Sequence, residues 1–417
     1  WPLAKTVAVR NCATSKLTRR VTLTTPYELV DRTTKGLKMS KRLIQPLLVA
    51  VAVLLSAASA VVADEHPLRL TLPAEMYAVV GVDMNVYFDN VVLTGTPENF
   101  RFTVSCDVGE TEKRRWHLAP KTQDIGSHQL VISVSDADGK ELAKKATRLI
   151  VVPADSGADR QVKILIVGDS LTHATAYPNE IARLLSREGN PKWRMLGTHR
   201  PSSAAEGVAH EGYGGWTWIR FVTKYEPEPD GTHRKRSSPF VFLGKAGKPE
   251  LNVARYFDDN FEGERPDVVF FLLGINDCFG AKPDDPAAID ERIDTMLAPA
   301  ARLLEEFHKA APDADLAICV TTPPNARESG FEANYKGRYH RWGWKRIQHR
   351  IVERLLTRYE AGAKNSDAEE GHLFVVPTQL NLDPVDGYPV NNGVHPNGVG
   401  YQQIGASIYS WLKWRMR

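Results

Sequence analysis

Cysteine is scarce: the 417-residue chain has four, Cys12, Cys106, Cys278 and Cys319, far apart and with no CxxC pair among them. That pattern excludes a disulfide framework. There is no HExxH run or other close histidine grouping of zinc-site spacing, so no structural metal is expected and no cofactor is needed for the chemistry read below. An excess of one charge is missing too. With 53 basic and 50 acidic residues the net charge is +3, which gives no electrostatic reason to expect nucleic acid or an anionic membrane surface as a partner. The single dense basic run, residues 233–236, lies among Pro, Gly and Ser without aromatic neighbours and reads as a solvated loop. Methionine does not occur before Met39.

What is present begins at that methionine. Lys41 and Arg42 precede an apolar run over 43–55, then small residues ending at Ala58-Ser59-Ala60 or Val61-Val62-Ala63. A charged end, an apolar helix and a small-residue cleavage site make a secretory signal peptide of 39–63. Residues 1–38 carry no core pattern and read as an upstream extension without structure of its own. The mature chain is expected to begin near Asp64 and to be secreted or periplasmic. The alternative is an uncleaved anchor, because the run approaches the ~20 residues that span a bilayer. No second such segment follows, so no stable membrane insertion is expected after cleavage. A hydrophobic content of 42% is that of a core-forming globular chain.

The body divides by hydrophobic period. Over 64–153, strands are predicted at 68–72, 86–93, 100–106, 129–134 and 147–152, separated by turn signals such as Thr94-Gly95-Thr96-Pro97. This predicts a small all-β, Ig-like sandwich with Trp116 as a packing residue, followed by a linker at 154–160. From 161 to 417, uniformly apolar strands at 162–167, 194–196, 268–273, 316–320 and 373–376 alternate with helical stretches at 178–188, 290–309, 346–359 and 400–414. Strands apolar on both faces belong to a parallel sheet covered by helices. The segment therefore reads as a doubly wound α/β domain, in which ligands bind at the carboxyl ends of the strands.

Three of those strands run into polar residues with no packing role: Gly168-Asp169-Ser170, Gly274-Ile275-Asn276-Asp277 and, through a loop, Asn392-Gly393-Val394-His395-Pro396. Ser170 would sit at a strand-to-helix turn, and a serine hydroxyl is a weak nucleophile unless a neighbouring base removes its proton. His395 is the candidate base. Acyl transfer also needs donors aimed at the developing oxyanion. Asn276 offers a side-chain amide, and the run Gly212-Tyr213-Gly214-Gly215-Trp216 offers backbone N–H groups, of which Gly215 is the choice. Taken singly, each has a plainer reading: Ser170 as a helix cap, His395 as a packed or surface imidazole, Asn276 as a loop tie, the glycine run as a turn. Trp216 and Trp218 either wall a substrate pocket or pack on the sheet edge. His340, Trp342 and Trp344 read as core packing or loop anchors, and the Pro-, Gly- and charge-rich segment 224–261 as a pocket-shaping insertion or surface ornament.

Together and in this order, Gly168-Asp169-Ser170, Gly215, Gly274-Ile275-Asn276-Asp277 and His395-Pro396-Asn397 resemble the blocks of the SGNH, or GDSL-type, hydrolases. The resemblance covers about 160–417 and implies a flavodoxin-like sheet, Ser170 as nucleophile, His395 as base, and an oxyanion hole of Ser170 N–H, Gly215 and Asn276. The N-terminal β segment inherits nothing from it. One position departs: where the family places an Asp three residues before the His, this chain has Asn392. An amide oxygen still accepts the imidazole Nδ1–H and fixes the tautomer, but it does not neutralise the imidazolium. Three readings stay open: Asn392 as orienter, Asp383 or Asp386 folding back to supply the charge, and an inactive site. The implied activity is that of an exported carboxylic ester hydrolase working through an acyl-serine. The favoured substrate is an acylated carbohydrate, because export, a small β domain and exposed aromatics suit glycans. A lysophospholipase or thioesterase would use the same constellation, and a non-catalytic glycan- or surface-binding protein with a degenerate hydrolase domain is the rival. The oligomeric state is not readable.

Overall fold

The structure is a computed structural model that describes residues 68–227, 237–335, 339–362 and 372–417. The expected upstream extension, signal peptide and basic run lie outside the described residues.

In the N-terminal segment, alternating apolar and polar residues form seven strands: β1 (Glu75–Val79), β2 (Met84–Tyr87), β3 (Arg101–Ser105), β4 (Glu110–Thr111), β5 (Arg115–Leu118), β6 (Gly126–Ser135) and β7 (Glu141–Val152). In β6 the period-2 rule is plain, with Leu130, Ile132 and Val134 buried and their neighbours less so. One sheet runs β1-β7-β6-β3 and the other β2-β5-β4. Met76, Leu130, Ile132 and Leu149 of the first share a core with Met84, Val86, Trp116 and Leu118 of the second. Two expected strands differ. Of 68–72, only Leu70 reaches a bridge, with Val92, and the strand starts beyond Pro73. The run 86–93 breaks at Tyr87 into the helical turn Phe88–Val91, where Asn90 donates its amide to the carbonyls of Gln379 (2.8 Å) and Leu382 (2.7 Å). Strands β4 and β5 were not expected, since the charged run around them hides the alternation.

The second part contains β8 (Gln161–Gly168), β9 (Lys192–Leu196), β10 (Glu211–Gly212), a separate hairpin of β11 (Val241–Leu243) and β12 (Pro249–Leu251), then β13 (Val268–Leu272), β14 (Asp315–Cys319) and β15 (Leu373–Val376). All pairings in the main sheet are parallel. β8 has β13 on one side; on the other, β9 covers its first half and β10 meets Val167 and Gly168 at its end. The chain steps one way from β8 to β9 and then crosses to β13. The carboxyl ends of β8 and β13 thus flank the point where strand order reverses, the place where doubly wound sheets bind ligands. Helices begin where the chain supplies caps: Asp285 accepts Ala288 N–H ahead of Pro286–Ala310, and Asn397 accepts Gly400 N–H ahead of Gly398–Arg415. In the expected linker, Gly157 (φ +74°) lies against Met416. Residues His66–Arg417 form one compact unit, and no described helix is long and apolar enough to cross a membrane.

Trp116 is 1% exposed in the core that joins the two N-terminal sheets. Trp116→Ala is expected to lower the unfolding free energy by about 3–5 kcal/mol, measured by urea denaturation. A loss under about 1 kcal/mol, the size of an ordinary surface change, would contradict that packing.

Candidate functional site

The turn after β8 is built without room for side chains. A Cβ on Gly168 would stand 1.8 Å from Thr172 Oγ1, and one on Gly212, its partner in β10, 2.5 Å from Thr172 Cβ. The chain therefore turns tightly into the helical turn Ser170–His173, capped by buried Asp169, whose Oδ1 accepts Leu171 N–H at 3.0 Å. This leaves Ser170 half-buried at the strand end, with its Oγ 2.9 Å from His395 Nε2.

His395 lies in the loop between the helical turn Thr378–Asn381 and the helix Gly398–Arg415. Burial holds its pKa below the ordinary imidazole value, which favours the neutral ring. Asn392 Oδ1 accepts from Val394 N (3.1 Å), His395 N (3.0 Å) and His395 Nδ1 (3.2 Å). Two of these donors are main-chain N–H groups, so the atom they face must be the amide oxygen, and the ring nitrogen meeting that same oxygen must carry a proton. Nε2 is then the bare nitrogen and accepts the Ser170 hydroxyl proton. The place beside Nδ1 is taken by Asn392. Asp383 and Asp386, considered above as substitute acids, are turned instead to Arg114, which forks onto both Asp383 oxygens (3.1 and 3.2 Å) and reaches Asp386 at 2.9 Å.

Asn276 follows β13 across the switch point. Its Nδ2 donates to Trp216 O (3.0 Å) and to Asp169 Oδ2 (3.3 Å). Tyr213 to Trp216 form a turn closed by Trp216 N–H to Tyr213 O (3.2 Å), with exposed Gly215 at φ +74°, a value that a third turn position of this kind requires. Gly214 beside it is exposed and meets nothing within 4 Å of a would-be Cβ. Trp216 is not an open pocket wall. It is buried between Tyr213 (4.7 Å) and Phe221 (4.9 Å), and Trp218 stacks on Phe271 of β13 (5.5 Å), where each indole gains apolar contact that solvent would not give. Trp344 is likewise buried, against Phe279, while exposed His340 lies beside Glu328.

Several residues that order the site were missed. Glu211 is fully buried and accepts from Thr198 N (2.5 Å), Tyr213 OH (2.5 Å) and Tyr256 OH (2.7 Å), with its pKa raised by burial. Gly212 N donates to His210 Nδ1 (3.0 Å), so Nε2–H of that ring faces Thr175 Oγ1 (3.1 Å), which in turn donates to His173 O (3.0 Å). Burial, then His199 and His173, push His210 down to about 3, keeping this relay neutral. Asn325 ties the histidine loop from the β14 side through Asn392 O and Pro389 O, each at 2.9 Å. Burial raises Asp169 and Asp277 to about 7; Asp277 Oδ1 accepts Trp218 N–H at 3.1 Å. The His210-Glu211 pair directly before a glycine run was a usable signal. Arg114 had none, because its partner lies 269 residues away. Among the described residues, Glu110, Glu112 and His117 are the one grouping able to hold a metal ion, and Glu112 is already paired with Arg115 at 2.8 Å.

A family model described as GDSL-like lipase/acylhydrolase matches residues 164–408. No curated protein matches the chain. Among solved structures it is similar to the family 3 carbohydrate esterase of Clostridium thermocellum, at 19% identity over 60% of this chain and 94% of that one, with a TM-score of 0.36. It is also similar to a carbohydrate esterase of family 3 from Talaromyces cellulolyticus, at 18% identity over 61% of this chain and 98% of that one, with a TM-score of 0.36. The family match spans more than half of the sequence and runs from β8 into the last helix, enclosing both Ser170 and His395; the chain belongs to the GDSL-like lipase/acylhydrolase family and is an ester hydrolase of that family.

Proposed function

We propose that the protein is an exported carboxylic ester hydrolase that deacylates an acylated carbohydrate through an acyl-serine intermediate on Ser170. The hydrogen-bonded series Ser170–His395–Asn392 carries this reading. His395 Nε2 takes the hydroxyl proton as Ser170 Oγ attacks the ester carbonyl carbon, and the imidazolium keeps its Nδ1–H on Asn392. The oxyanion faces Ser170 N–H, Gly215 N–H and Asn276 Nδ2, each such donor contributing about 3 kcal/mol. Asn276 turns toward it by giving up the longer of its two bonds, the one to Asp169. His395 then hands its proton to the leaving alcohol, and water repeats the sequence on the acyl-enzyme.

The carbohydrate preference is supported by exposed small or polar residues next in sequence to the constellation: His173, Gly214, Gly215 and Asn391. Three exposed aliphatics near the constellation in sequence, Ile219 in the helix Trp218–Thr223, Val390 in the histidine loop and Val399 at the start of the last helix, are too few to make a lipid-binding face. Export rests on the pattern of residues 39–63. The two N-terminal sheets sharing one core support an accessory unit of sandwich type.

Ser170→Ala is expected to abolish labelling by a fluorophosphonate probe and to lower aryl acetate hydrolysis by about 10³-fold or more, with an unchanged melting temperature. An unlabelled, inactive wild type would favour the binding-protein reading. In a panel of acetylated polysaccharide, lysophospholipid and acyl thioester, kcat/KM should be highest for the polysaccharide; equal or higher values for the lipid would redirect the substrate assignment.

The pH profile tests Asn392. The base works as neutral imidazole, so kcat/KM falls as pH drops through the His395 pKa; because burial depresses that pKa, the midpoint should lie below about 6.5. Asn392→Asp stabilises the imidazolium, so it should move the acid limb to higher pH and raise the plateau by roughly tenfold or more. A profile identical to wild type would mean that the residue does not address the ring.

A further inference from the structure

We propose that Arg114, on the N-terminal β segment, is a positioning residue for His395, so that this segment completes the hydrolase site; the inference rests on the hydrolase reading of Ser170 and His395. Arg114 immediately precedes β5, and its carbonyl accepts Phe88 N–H at 3.0 Å, which fixes its backbone to the second N-terminal sheet. Its guanidinium holds Asp383 bidentately at 3.1 and 3.2 Å and Asp386 at 2.9 Å. Both carboxylates belong to the loop that carries Asn392 and His395. Asp383 is nearly buried, with a side chain 7% exposed, and its Oδ1 also accepts Val385 N–H (2.8 Å) and Asp386 N–H (3.1 Å). One side chain thus organises the first bend of the loop, and Arg114 supplies its counter-charge.

The bend is connected to the histidine by main-chain bonds. Gly387 N donates to Asp383 O (3.1 Å), and Gly387 O in turn accepts Asn397 N–H (2.9 Å). Asp386 O accepts Asn397 Nδ2 at 2.8 Å. Asn397 lies two residues beyond His395 and caps the helix Gly398–Arg415, so the ring hangs between this tie and Asn392. After the turn Thr378–Asn381 the loop has no regular element to hold it before that helix. Its geometry therefore comes from side chains of neighbouring elements. The β segment gives a second hold on it, Asn90 Nδ2 to Leu382 O at 2.7 Å, and Arg327 grips Val385 O from beyond β14. Without Arg114, Asp383 loses the cation forked onto it and Asp386 is left with Arg327, at 3.8 Å, so the bend opens. A Nε2-to-Oγ distance set to tenths of an ångström does not survive that movement.

The test uses the full mature chain as wild type, Arg114→Ala and Arg114→Lys, with aryl acetate kinetics, hydrogen exchange of 382–397 and melting temperature. Arg114→Ala should lower kcat roughly ten- to a hundredfold with KM within about twofold, and exchange should quicken in 382–397 while β8 and β13 keep their protection. Arg114→Lys should recover part of the loss, since an ammonium holds one carboxylate but cannot fork across two. If Arg114→Ala does not fold, Arg114→Gln replaces it under the same criteria. Unchanged kcat and unchanged loop exchange would overturn the proposal. A wild type without hydrolysis would sink the hydrolase reading, and the loop exchange alone would then decide whether Arg114 braces the loop.

Discussion

The N–H groups of Val394 and His395 converge on one oxygen, and that convergence sets the direction of every proton in the Ser170–His395 pair. A carboxamide has a right and a wrong face. Turned the other way, Asn392 would set its NH2 against two main-chain N–H groups, so the backbone forces the oxygen inward and the oxygen forces the proton onto Nδ1. A carboxylate at this position would orient the ring and offset its charge together. The carboxamide does only the first, and it depends on the two main-chain donors to do so. The site is therefore electrostatically lean at the base and relies on geometry, which in turn relies on how the loop is held.

The other side of the site shows a related economy. Glu211, Asp169 and Asp277 are buried, and each accepts a main-chain N–H: from Thr198 just after β9, from Leu171 in the turn Ser170–His173 and from Trp218 at the start of the helix Trp218–Thr223, respectively. Burying carboxyl groups is costly unless donors compensate. Here the donors are the backbone of the segments that need ordering, so the same bonds satisfy the acids and hold the turns. The raised pKa values of all three are the visible trace of that cost. Such shifts gather where function constrains a structure more than stability does.

The α/β part was legible because its strands are buried on both faces, which leaves a run of Val, Ile, Leu and Phe that no surface element carries. The five strands expected there are found to within about two residues, with 268–273 becoming Val268–Leu272 and 373–376 remaining Leu373–Val376, whereas the short β10, β11 and β12 were not expected. Helix ends were less visible, since Pro286–Ala310 begins at a cap ahead of its first apolar residue. The N-terminal segment was harder. Its strands are half-exposed, and Asn90 pulls an apparently continuous strand into a helical turn through partners nearly 300 residues away. At the site, the blocks with chemistry of their own could be read, whereas Arg114 and Asn325 hold the histidine loop through partners 64 or more residues away; His210, bonded to Gly212 two residues on, was within reach of the sequence. Trp216 was ambiguous for a plain reason: an indole next to a glycine run looks the same whether it faces outward or packs inward.

The glycines of one short loop also differ in what they would let the protein become. Gly212 and its partner Gly168 are wedged against Thr172, so any side chain there displaces the turn that presents Ser170. Gly214, two positions along, looks into open space. Within three residues the loop passes from an invariable foundation to a free plot, and a lineage adapting this scaffold to bulkier or differently charged esters can add a side chain at 214 without disturbing the machinery beneath.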